Sequence, residues 1–261
     1  MREKVNGFVG VMAVAILCMV SGLCMVWGIA PVVLAVYVAA CAVCGRYMIT
    51  CIGCAAGVAA GSMGIAGLLH ADEYMIPGPV YSGVMVTEKY LVLLGLAMCL
   101  MKIVYSRNSR SYVRVIVVMS AAVLMGNIVV YADNMLMAAA YGVVEAAIFM
   151  CASVILKPGI GLLYTYICGD ASDVERDESW NVSQGIVSLM ALAAVVLWVV
   201  PGEDIYSVNP AFMLALVLIL YAVYRTGAVY GCGMAAVAGS IVSVKLNDSR
   251  WLMWMLLVTL V

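Results

Sequence analysis

Residues 135–156 form an apolar run that carries a single charged side chain, Glu145. About 20 apolar residues suffice to cross a bilayer as a helix, so this run is long enough to span one. A carboxylate at that depth is costly and turns toward protein rather than lipid. The run therefore predicts a membrane-embedded helix with Glu145 facing other helices, and it makes the few intramembrane polar groups the best guides to function.

The rest of the chain agrees. Hydrophobic residues make up 67%, charged residues 10%, and the mean hydropathy is +1.14. Soluble domains carry about 25% charged residues, so this composition exceeds what one water-soluble core can hide. The formal net charge of -1 supplies no basic field, which excludes nucleic acid as a partner. Nearly all of the ten cysteines lie inside apolar runs, where they serve as small apolar residues rather than a disulfide scaffold. The charged start Arg2-Glu3-Lys4 ahead of the first apolar run resembles a secretory leader. It reads as a retained first span, because apolar segments continue to the last residue.

The predicted fold class is all-α, a polytopic transmembrane helical bundle of about nine to ten spans. These are residues 8–27, 31–45, 47–69, 90–104, 115–131, 135–156, 185–200, 211–224, 226–244 and a truncated 251–261, which reads as the edge of a fragment. Residues 31–45 and 211–224 are short for a crossing. With the N-terminus in the cytoplasm, all but Lys89, Lys245 and Arg250 of the thirteen Lys and Arg fall on the inner side. That bias is the positive-inside pattern. Lys102, Arg107, Arg110 and Arg114 are its strongest anchors, and residues 157–184 form the longest cytoplasmic loop.

Few residues could carry chemistry. Glu145, with Asn127 in the preceding span, reads either as a proton or cation site in a transporter or as a polar clamp between helices. Gly53, Gly57 and Gly61 recur every fourth residue, as do Gly227, Gly231, Ala235 and Gly239. That spacing lets another backbone approach closely, either within the bundle or between copies. Cys41, Cys44, Cys51 and Cys54 form two C-x2-C pairs around Arg46, a metal-like or redox-like spacing set against general use of Cys in this chain. His70, Asp72 and Glu73 read as a solvated outer loop. His70 is the only histidine, which removes most hydrolase arrangements. No nucleophile elbow or phosphate-cradling loop occurs. No catalytic residue, metal ligand or cofactor is assigned to this chain.

Four passages resemble the N-terminal membrane region of stage II sporulation protein E, a bacterial sporulation phosphatase. Gly28-Ile29-Ala30-Pro31, with Ala35 and Ala39-Ala40, is similar to a proline-started second span. Residues 141–147, from Tyr141 past Glu145, resemble a span with an embedded acid. Ser188-Leu189 opens the seventh span after a charged loop. In residues 221–244, Tyr221-Ala222, Gly227-Ala228, Gly231 and Gly239 resemble a glycine-rich ninth span. Val32-Val33 stand where the family tends to have Phe-Gly, and Asp177-Glu178 only loosely match its acidic pair. The resemblance implies a non-enzymatic domain of the bacterial plasma membrane that anchors a phosphatase at the septum. Self-association and contact with cell-division proteins follow from it. The phosphatase domain and its manganese or magnesium lie outside this stretch. The alternative is a small-molecule or ion transporter using Glu145.

Overall fold

The structure is a computed structural model that describes residues 2–23, 31–61, 83–103, 109–131, 134–168, 182–200, 209–246, 248 and 250–259. His70, Asp72, Glu73, Arg107 and the acidic stretch around Asp177 lie outside the described residues. Among those described the fold is all-helical, with ten helices: α1 (Arg2–Leu23), α2 (Pro31–Cys44), α3 (Tyr47–Ala60), α4 (Gly83–Ile103), α5 (Ser109–Val130), α6 (Met135–Cys168), α7 (Val182–Val199), α8 (Pro210–Thr226), α9 (Ala228–Lys245) and α10 (Arg250–Val258).

Three of the described helical segments, Ser111–Val130, Met135–Ile167 and Ala228–Lys245, are long and apolar enough to cross a membrane alone. Helix length and composition thus account for three crossings, not nine or ten. α2 and α3 fall short by length: with 14 residues each they rise only about 21 Å, against a hydrocarbon core of about 30 Å.

Consecutive helices run antiparallel wherever close contacts fix their direction. Tyr112, early in α5, donates its hydroxyl to the Ser153 carbonyl of α6 at 2.7 Å, while Asn127, late in α5, meets Glu145. Gly159 of α6 packs on Ser188 of α7, and Gly185 on Leu162. Gly231 of α9 packs on Val223 of α8, and Gly239 on Leu252 and Met255 of α10. α7 and α9 end together, since the Lys245 ammonium donates to the Val200 carbonyl and satisfies an orphan acceptor past the end of α7.

α2 is the centre of the larger core. Its side chains from Val33 to Cys41 are fully buried, as expected of a helix that is apolar on every face. The same core takes in residues of α1, α3, α4, α5, α6 and α7. A smaller core joins Leu197 of α7 to Ile219 of α8, Met234 of α9 and Met255 of α10. The bundle's exterior is apolar too: Val92 is 71% exposed, Leu136 83% and Val229 83%. Such a surface suits lipid and would be an aggregation liability in water.

Gly53 and Gly57 of the first glycine stripe lie in a seam within the chain. A Cβ at Gly53 would stand 2.7 Å from the Ala15 carbonyl oxygen of α1, and one at Gly57 would run into the Met19 carbonyl oxygen. Gly22 of α1 answers them, with its own Cβ position 2.6 Å from the Val58 nitrogen. Backbone meets backbone here, which only glycine permits. Gly61 follows α3 and is buried. Gly227 joins α8 to α9 at φ +89°, a conformation that L side chains rarely adopt.

α6 does not stop at Leu156. It runs on through Pro158 to Cys168, so the start of the segment read as the 157–184 loop is helical. Proline lacks an N–H and disturbs the preceding turn. α7 braces the following turn: the next amide, Gly159 N–H, donates to Ser188 Oγ at 2.6 Å. Side-chain hydroxyls commonly satisfy such broken turns inside membranes. Ser188→Ala is expected to lower stability by about 1–3 kcal/mol, the range for orphaning a buried donor, measured by thermal unfolding in detergent.

Candidate functional site

Glu145 and Asn127 meet, and a third residue joins them. The Lys89 ammonium lies 3.0 Å from Glu145 Oε1, 2.8 Å from Glu145 Oε2 and 3.1 Å from Asn127 Oδ1. Asn127 Nδ2 donates to Glu145 Oε2 at 2.6 Å and to the Val123 carbonyl at 3.1 Å. The Lys89 and Glu145 side chains are 3% and 1% exposed, and Asn127 is fully buried. The cluster thus ties together α4, α5 and α6.

This corrects the reading of Lys89 as an outer-loop residue. α4 begins at Gly83 rather than at Tyr90. Lys89 is therefore about 9 Å into a helix, buried and paired. A lysine next to an exposed Glu88 looks like a loop when read along the chain. The signal for the helix was Val84-Met85-Val86, an apolar stretch ahead of the charged pair.

Local sequence shapes the cluster. Antiparallel α5 and α6 bring Asn127, one turn from the end of its helix, beside Glu145, about 15 Å into the next. Gly142 lies one turn before Glu145. Its Cβ position is 3.3 Å from Leu124 Cα, so the two backbones are in close contact. Gly126 lies beside the lysine stem, where a Cβ would make ordinary contact at 3.4 Å from Lys89 Cγ. The Lys89 ammonium also stands 4.8 Å from the centroid of the Tyr90 ring, a cation–π contact. Near the other end of the same helix pair, Lys157 lies over the Tyr112 ring at 4.6 Å.

Chemically the cluster is closed. The ammonium has three hydrogens and three acceptors, and the amide has two hydrogens and two acceptors. A buried ion pair is tolerated only when its remaining hydrogen-bonding capacity is met in this way.

The other residues singled out from sequence stand apart. Lys102 and Arg114 are exposed, and Arg110 lies in the first turn of α5. Cys41 Sγ is 3.2 Å from Thr50 Oγ1, and Cys54 Sγ is 3.9 Å from the Val33 carbonyl. Among the described residues no group of three or more His, Cys, Asp or Glu side chains is arranged to hold a metal ion. No protein-family profile, curated protein or solved structure matches the chain.

Proposed function

We propose that this chain is a non-enzymatic, multi-pass membrane domain whose work is to anchor and position, with Lys89, Glu145 and Asn127 acting as a clamp between helices. The carrying observation is that every N–H of the lysine and amide heads is spent inside the cluster. A transport site needs polar atoms free to meet a substrate in a water-filled path. The closed cluster therefore favours the clamp over the transporter.

The antiparallel run of consecutive helices supports a chain threaded nine to ten times through the bilayer, with short helices shielded by longer neighbours. Moving Lys89 into the bundle leaves only Lys245 and Arg250 outside, which strengthens the inward bias of positive charge. The likeness to stage II sporulation protein E extends this proposal to a bacterial plasma-membrane anchor for a septal phosphatase, one that self-associates and meets cell-division proteins.

Two experiments test the reading. The purified chain in proteoliposomes is expected to carry no proton or cation flux. Flux that Glu145→Gln abolishes would establish the transporter instead. Sequencing the gene beyond codon 261 is expected to reveal an aspartate-rich soluble phosphatase domain, and a stop codon there would remove the sporulation part of the proposal.

A further inference from the structure

We infer that α4 is a conditional span, held across the bilayer by the carboxylate that α6 delivers to Lys89. This rests on the multi-span reading above. α4 contains Glu88, Lys89 and Lys102, three charges within one helix. Its ammonium lies about two turns inside the helix, where an unpaired Lys strongly opposes insertion. Glu88 is exposed, whereas Lys89 turns inward to Glu145.

The partner comes late. Glu145 lies 56 residues further along the chain, so α4 and α5 leave the ribosome before it does. α6 is suited to bring a carboxylate into lipid, because the apolar segment Met135–Ile167 is the longest of the three. α5 offers an intermediate: Asn127 Oδ1 is a neutral acceptor for Lys89 that arrives before Glu145. The order that follows is α4 held loosely, α5 paired weakly with it through Asn127, and α6 completing the neutralisation. On this account the ion pair governs topology during assembly as well as the stability of the finished bundle.

The test uses the full chain with one protease site ahead of Gly83 and another between α4 and α5, digested in sealed vesicles of both orientations. In the wild type the two sites are expected on opposite faces. Glu145→Leu is expected to raise the fraction with both sites on one face about tenfold, since an uncompensated charge costs more than one decade in equilibrium. Lys89→Met, alone or with Glu145→Leu, is expected to keep the wild-type arrangement, because no lone ammonium remains. Lys89→Met also breaks the clamp, so a mere loss of packing would affect it as much as Glu145→Leu. Equal placement of α4 in all four chains, or equal misplacement in every variant, would overturn the inference. Both sites on one face in the wild type would overturn the multi-span reading itself.

Discussion

Glu145→Leu is expected to destabilise the folded bundle by about 3–5 kcal/mol, the cost of leaving one partner of a buried ion pair alone. The size follows from what stays behind. Lys89 keeps a single neutral acceptor, Asn127 Oδ1, while two of its three donors lose their partner. The Asn127 amide loses its 2.6 Å acceptor as well. A neutral hydrogen bond lost singly is worth only about 1 kcal/mol, so the uncompensated ammonium dominates. Unfolding monitored by helicity across a detergent series reads this loss. A change under about 1 kcal/mol would mean that the ammonium finds water or lipid headgroups in the folded bundle.

Gly57→Leu is the second large effect, expected at about 1–3 kcal/mol or more, in the overpacking range. The obstruction is backbone: the new Cβ meets the Met19 carbonyl oxygen and lies 2.9 Å from Gly22 Cα. Neither atom is the end of a flexible side chain, so α1 must move off α3. Gly95 supplies the contrast. It sits inside α4 with nothing within 4 Å of its Cβ position, and Gly95→Ala is expected to stabilise by about 0.8–1 kcal/mol through helix propensity. Parallel melting curves of the two variants should therefore shift in opposite directions. If both shift down equally, the seam between α1 and α3 is looser than described.

The parts of the site differ in how readable they were. Glu145 stands out because a carboxylate interrupts an apolar run, and Asn127 because the preceding run has so few polar groups. Lys89 was hidden by its neighbour: Glu88-Lys89 marks a boundary in any reading that treats charge as the end of a span. Only the pairing of α4 with α6 shows that a cation can belong inside. The glycine spacing at Gly53 and Gly57 announced a close approach, but the answering Gly22 in α1 depends on which helices meet. The sequence Lys157-Pro158-Gly159 reads as a stop, yet the helix continues, with Ser188, 29 residues away, accepting the Gly159 amide. In each case the missing information was a tertiary partner rather than a local preference. The count of crossings is hard to read for a related reason. α2, buried on every side, carries neither the length nor the flanks that mark a lipid-exposed span.

The central claim is that Lys89 and Glu145 hold the helices together as a pair. A double-mutant cycle of Lys89→Met, Glu145→Leu and the double variant, read as unfolding free energy in one detergent, measures this directly. The account predicts that the double variant is more stable than Glu145→Leu alone, since no buried charge remains. Losses that simply add, with the double variant the least stable of the set, would contradict it.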